Sequence, residues 1–192
     1  HMSTGSPKHK LGGGMDEAFE LNVRHRTDAG IHWQGVSLHI GSQLMELGAL
    51  AEALDKTLNF ARRLKAEGIS LEVLDAGGGL GVDYKTPLLA PNFQRYGEVL
   101  AKASHAWAEL QGPRARMYSE CGRAIVAQAG WLITRVIGTK KNGNKNFALV
   151  DASVRERLRP ARCQGWPPAQ PWASASDLST RPLKTYDIAG PV

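Results

Sequence analysis

The sequence predicts an α/β fold: a parallel sheet joined by crossover helices, followed by a second, antiparallel module. Three observations carry this expectation. Segments of strand period and helix period alternate between residues 35 and 120, the rhythm of parallel strands with helical crossovers. Beyond residue 120 the rhythm stops, and β-rich stretches at 130–138 and 146–151 flank "KKNGNK", whose Asn142-Gly143 pair suits a two-residue hairpin turn. The 192 residues and 42% hydrophobic content are enough for a buried core.

The elements follow in order. From Asp16 a weakly amphipathic segment with Ala18, Phe19 and Val23 predicts a helix running to Gly30, with Asp16 as cap and Glu17 and Glu20 in the favourable first turn. "GVSLHI" (35–40) alternates Val36, Leu38 and Ile40 with Ser37 and His39, a strand period that turns His39 away from the apolar side. Residues 44–67 space Leu47, Leu50, Leu54, Leu58, Ala61 and Leu64 three or four apart, and Gly68 stands where a helix end favours glycine. A strand at 69–75 leads into "GGGLG". After a loop holding Pro87 and Pro91 comes a helix with Phe93, Tyr96, Leu100, Ala103, Trp107 and Leu110, ended by "QGP", and then a strand at 114–120. Residues 160–182 hold five of the ten prolines and show neither period, so they are expected to be irregular. "TYDIAGPV" resumes a strand pattern.

Composition narrows the function. No apolar run reaches the roughly 20 residues a membrane helix needs, and the first residues lack a signal-peptide pattern, so the expectation is a soluble, cytoplasmic protein without membrane partners. His1-Met2 reads equally as a cloning remnant or as native sequence. Cys121 and Cys163 are too few for a disulfide framework and lack zinc-site spacing; reduced thiols and no metal are expected. The formal charge of +6 gathers in "TKKNGNKN" (139–146) and "RERLRPAR" (155–162). A nucleic-acid binder is the alternative such clusters raise, but no recognition helix, zinc finger or aromatic RNA motif accompanies them. Solvation of a hairpin tip and a surface explains them, so no nucleic-acid partner is expected.

"LDAGGGLGVDY" (74–84) follows a strand. It fails the dinucleotide fingerprint, since the third glycine falls on Val82 or Tyr84, and no lysine follows at phosphate-loop spacing. Consecutive glycines at the carboxyl end of a parallel strand nevertheless expose N–H groups able to cradle a phosphate. A tight glycine turn with no ligand explains this loop alone equally well. Two neighbours add weight: "HIGSQ" (39–43) ends one strand and "SECGR" (119–123) ends another, so three polar strand ends would open on one rim. Taken singly, His39 reads as a satisfied histidine, Glu120 as a surface charge and Arg123 as an ion-pair partner.

Together the three stretches resemble the alanine-racemase-like, fold-type III pyridoxal 5′-phosphate enzymes, and within them the diaminopimelate decarboxylases. "HIGSQ", with glutamine where ornithine decarboxylases usually have glycine, and "GGGLG" and "KNFALVDA" carry the likeness. It runs from about Ser3 to Pro160, "STGSPKHKLG" included, and resumes at "YDIAGPV". The resemblance implies the last strands and helices of a (β/α)8 barrel over residues 1–123, with the start of an antiparallel β-domain over 124–192. It implies pyridoxal 5′-phosphate as cofactor, an amino-acid substrate, and a homodimer in the intact family. His39 would stack on the pyridine ring, Ser42 would donate to the phosphate, and Gly78 and Gly79 would offer backbone donors, with Cys121 and Gly122 in the same cofactor-contacting stretch. Glu120 would pair with the protonated pyridine nitrogen and keep the ring an electron sink. Arg123 and Arg159 would hold substrate carboxylates, to which the guanidinium fork is suited.

The sequence also departs from the family. The lysine that joins the cofactor aldehyde in a Schiff base sits in a tyrosine-alanine-x-lysine type stretch, which this chain lacks, and none of its ten lysines stands in such a context. The cysteine that follows "GPV" in relatives, the proton donor to the partner subunit's site, has no counterpart before Val192. No catalytic residue is therefore assigned, and the expectation is an incomplete, inactive segment, with a non-catalytic remnant that binds phosphate or a partner subunit as the alternative. "EPGR" of the family is "ECGR" here. At "RPARC" Cys163 replaces a substrate-contacting tyrosine, and the next twenty or so residues lose all likeness, as a shifted reading frame or relaxed selection would leave them.

Overall fold

The computed structural model describes residues 13–84, 86, 91–153, 156, 169–172, 182 and 184–191. Arg159, Cys163 and most of the proline-rich stretch expected to be irregular lie outside the described residues. The chain divides into two compact units, 1–83 with 88–129, and 84–87 with 130–192.

The first unit opens with helix α1 (Met15–Arg24), which is shorter than the expected run to Gly30; the chain leaves it in a turn where His25 and Asp28 pair at 2.7 Å. Three parallel strands follow, β1 (Gly35–Ser37), β2 (Val73–Asp75) and β3 (Arg116–Tyr118), with β2 in the centre. They are joined by helices α2 (Gly48–Ala66) and α3 (Phe93–Gln111), the alternation the sequence rhythm implies. Each strand is shorter than its apolar pattern; Leu38 and Ile40 are half-buried, and Ile69 and Leu71 buried, outside the ladder. In register, Val36, Leu74 and Met117 form an apolar row with Leu74 wholly buried, and the next row, Ser37, Asp75 and Tyr118, is polar, as a period of two requires.

All six apolar positions that predicted α2 are buried, and Thr57 joins them by donating its hydroxyl to the Ala53 carbonyl at 2.9 Å. The helix starts at Gly48 rather than 44, since Leu44 is diverted into a parallel bridge with Leu80. Gly68, at φ +81°, ends it, and the Ile69 N–H returns to the Leu64 carbonyl, the left-handed stop that glycine permits. Helix α3 is capped by the Asn92 side chain, which accepts from the Arg95 N–H at 3.0 Å. It packs on α2 and buries Tyr96, Ala103 and Trp107. The Trp107 indole donates to the Glu72 carbonyl at 3.2 Å. A short helix α4 (Gly122–Val126) follows β3.

The second unit is a three-stranded sheet, β4 (Val136–Asn142), β5 (Lys145–Val150) and β6 (Asp187–Ala189). The hairpin exists, but Asn142 pairs with Lys145, so the turn is Gly143-Asn144, one residue later than expected, with Gly143 at φ +55°. Glycine at the first turn position supplies the positive φ that primed turns demand. A register shift at Ile137 bulges β4, whose regular pairing begins at Val136 rather than 130. The sheet is mixed, not purely antiparallel: β6 runs parallel to β5, Phe147 opposite Asp187 and Leu149 opposite Ala189. A parallel partner needs a long connection, and local pattern in the sequence does not reveal which neighbour a late strand joins.

Candidate functional site: three loops at the carboxyl ends of the parallel strands

The glycines of "GGGLG" have a packing role first. A Cβ on Gly77 would collide with the Leu38 carbonyl, on Gly78 with the Glu120 carbonyl, on Gly79 with the Gly41 carbonyl, and on Gly81 with the Met45 sulfur and the Leu44 carbonyl. Gly77 and Gly79 also hold φ of +62° and +98°, open to glycine at little cost. The loop after β2 is thus wedged between the loop after β1 and the loop after β3, main chain against main chain. Hydrogen bonds lock the wedge. Leu44 N–H donates to the Gly79 carbonyl at 2.8 Å, Gly81 N–H to Leu44 at 2.9 Å, and Glu120 N–H to Gly77 at 2.8 Å. The two readings of the glycines that the sequence left open are compatible, because the same close approach that excludes side chains gathers the polar strand ends.

The expected site residues among the described ones lie on the three loops or in the first turn of α4. His39 is exposed on the first loop, its Nδ1 3.5 Å from the Gly78 N–H. Ser42 is half-buried between buried Gly41 and Leu44. Gly78 is buried and Gly79 half-buried. Glu120 is exposed; Cys121, a free thiol, is half-buried and precedes α4, which begins at Gly122. Arg123 is half-buried in the first turn of α4. Of the named residues, only Arg159 falls outside the described chain.

Sequence reasoning missed three residues that organise the mouth. Asp75, at the end of β2, accepts from the Gly77 N–H at 2.9 Å and from the Ser37 hydroxyl at 3.2 Å, tying β1 to the glycine turn. Ser119 accepts from or donates to the Tyr96 hydroxyl at 2.8 Å and donates to the Gly77 carbonyl at 3.3 Å. Burial pushes the Tyr96 phenol up from its ordinary value, and the Ser119 bond opposes this in part. Gln43 carries a positive φ, +65°, and its Oε1 accepts from Arg123 Nη1 at 3.1 Å. All three lie within the quoted stretches, yet nothing in a lone sequence marks a glutamine for a left-handed backbone.

The donor set suits a phosphorylated, nitrogen-containing ring. It offers a flat imidazole, a serine hydroxyl, a glycine N–H on a half-exposed turn, a carboxylate and a guanidinium, groups able to meet an aromatic ring, a phosphate, a protonated ring nitrogen and an anion.

The comparisons agree with this chemistry. The chain is 35% identical to diaminopimelate decarboxylase of Vibrio cholerae and 37% identical to that of Pseudomonas aeruginosa, in each case over all of this chain and 44% of the relative. The crystal structure of the Helicobacter pylori diaminopimelate decarboxylase complexed with L-lysine superposes with a TM-score of 0.83 at 34% identity, covering all of this chain and 45% of that one. The chain therefore spans less than half the length of these relatives. Residues 1–127 match the family described as pyridoxal-dependent decarboxylase, pyridoxal binding domain, and the chain belongs to that family.

Proposed function

We propose that this chain supplies the cofactor-holding mouth of a diaminopimelate decarboxylase, which removes one carboxyl group of meso-diaminopimelate as carbon dioxide and leaves L-lysine. The observation that carries the reading is the wedge of three loops that brings His39, Gly79, Glu120 and Arg123 to one rim. In this reading β1 to β3 are successive strands of a (β/α)8 barrel, the mixed sheet begins a β-domain, and the intact enzyme is a cytoplasmic homodimer. Bound pyridoxal 5′-phosphate supplies an electron sink for the carbon that loses its carboxylate.

This chain's residues hold and tune that group. The Gly78 and Gly79 main chain and the Ser42 hydroxyl take the phosphate, and His39 offers a flat face to the ring. Glu120 keeps a proton on the ring nitrogen, since a carboxylate favours the charged form of a neighbouring base. Cys121 and Gly122 set the start of α4, and with it Arg123. The guanidiniums of Arg123 and Arg159 take substrate carboxylates.

A second reading, that the chain binds phosphate without turnover, is favoured by the lysines. Those among the described residues lie on α2, α3, β4, β5 and at 184, none on the three loops. One titration tests the shared core of both readings. Pyridoxine 5′-phosphate, which has no aldehyde to react with surface lysines, should bind the 192-residue chain saturably by calorimetry, compete with inorganic phosphate, and bind more tightly than pyridoxine. Equal affinity with and without the phosphate sinks the site. Assay of L-lysine formation with pyridoxal 5′-phosphate and meso-diaminopimelate then separates the two readings.

A further inference from the structure

The loop after β1 contains a residue whose backbone and side chain are both unusual. Among the described residues Gln43 is the non-glycine with positive φ, +65°, a conformation that costs a side-chain-bearing residue free energy and persists where surrounding structure holds it. Its amide is what is held. Nε2 donates to the Val82 carbonyl, beyond the glycine turn, and Oε1 lies 3.5 Å from the Val82 N–H. The same Oε1 accepts from Arg123 Nη1 at 3.1 Å. A guanidinium only donates and a carbonyl only accepts, so these partners fix which amide end is oxygen. One side chain therefore spans three loops, clamping the end of the glycine loop and steadying the arginine on α4.

The chemistry of the Arg123 partner matters. Its acceptor is a neutral amide, and no carboxylate among the described residues pairs with it, although it is half-buried. Of the exposed arginines, Arg63, Arg95, Arg114 and Arg116 meet carboxylates, while Arg26 and Arg62 meet the Val23 carbonyl and the Asn59 amide oxygen. A glutamate at 43 would neutralise Arg123, and a glycine would leave it unheld. Glutamine does neither.

We propose that Gln43 is a positioning residue that fixes the Arg123 guanidinium at the mouth while leaving its charge uncompensated for an incoming carboxylate. The carboxylate part rests on the reading of Arg123 given under the proposed function; the positioning part does not.

The test is side-chain nitrogen NMR of the 192-residue chain labelled in arginine, with the Arg123 Nε–H signal assigned by its loss in Arg123→Lys. Gln43→Gly removes the amide and relieves the positive φ, so it spares the backbone, and an unchanged Arg63 signal, over the Phe19 ring at 4.2 Å, reports an intact fold. The expected result is that Gln43→Gly moves and broadens the Arg123 signal alone. Affinity for glutarate, used as a plain dicarboxylate probe, should fall about tenfold, the worth of one lost positioning hydrogen bond. Gln43→Glu should lower it further, on the order of a hundredfold, because its own carboxylate occupies the guanidinium. An Arg123 signal indifferent to Gln43→Gly, or glutarate affinity undiminished by Gln43→Glu, overturns the proposal. If the signal responds to Gln43→Gly but the unsubstituted chain binds no glutarate, positioning is supported and the carboxylate-holding reading of Arg123 is what fails.

Discussion

The two units use sheets of equal strand number to different ends. In the first, three-residue parallel strands are minor contributors, and the structure is carried by α2 and α3 closing on one another over Leu50, Leu54, Leu64, Leu74 and Trp107. In the second, longer strands pair well, yet among its described residues the buried apolar side chain is Val150, while Trp131, Ile133, Val136, Ile137 and Ile188 are exposed. A regular ladder satisfies main-chain groups without burying apolar area, and apolar burial of about 25 cal/mol per Å² is what stabilises a fold. The first unit is where a polar mouth can be held rigidly, because its loops rest on a packed base.

The comparison breaks most severely at Trp107. Its side chain is 1% exposed and its indole N–H serves the Glu72 carbonyl. Trp107→Ala should cost about 3–5 kcal/mol, and segment-resolved hydrogen exchange should show α2, β2 and α3 losing protection while the β4–β5 hairpin keeps its own. Equal loss in both units would mean that they fold as one, and the contrast would fail.

Glycines at positive φ sharpen the contrast next. Gly79 and Gly143 both occupy that region, but a Cβ at Gly79 strikes the Gly41 carbonyl, whereas at Gly143 nothing lies within 4 Å. Gly143→Ala should therefore cost only the left-handed strain, about 1 kcal/mol. Gly79→Ala adds a main-chain collision that must push the first loop away, for about 3 kcal/mol in total by the magnitudes typical of overpacking. Denaturant melts of the two variants should rank in that order. Pyridoxine 5′-phosphate binding should be lost only in Gly79→Ala, since only that substitution opens the wedge.

Legibility in the sequence divides along the same line as these forces. Helix α2 was readable because every Leu at its helical spacing reports the same buried face, and Gly68 because a left-handed stop selects glycine. The hairpin was readable as a hairpin, but Asn142-Gly143 and Gly143-Asn144 both satisfy turn chemistry, and the choice fell to cross-strand register. The parallel docking of β6 on β5 was hidden, because pairing across a long connection leaves no local pattern. At the mouth, the quoted stretches located the loops correctly, whereas the roles of Asp75, Ser119 and Gln43 depend on bonds to Ser37, Tyr96 and Arg123, each a partner distant in the chain. Periodicity reports burial of a face; it is silent on which polar atom meets which.

The smallest effect concerns pH, where the units share one limb and differ in the other. Carboxylates in both, Glu52 and Glu98 in the first and Asp151 in the second, are held below their ordinary values by hydrogen bonds from Lys56, Arg95 and Thr134 respectively. What they contribute is present above the unfolded carboxylate range and lost as pH falls through their folded values. The alkaline limb is assigned to the first unit. Tyr96 is raised above 10.0 by burial, so the unfolded chain releases its phenolic proton first, and the stabilisation present below about pH 10 is lost as pH rises toward the folded value. Tyr96→Phe should cost about 1 kcal/mol near neutral pH through the bond to Ser119, and should flatten the decline above pH 10. Melts across pH 8 to 11 followed by hydrogen exchange in α3 measure both. A variant that declines as steeply as the unsubstituted chain would place the alkaline sensitivity elsewhere and remove Tyr96 from the base that supports the mouth.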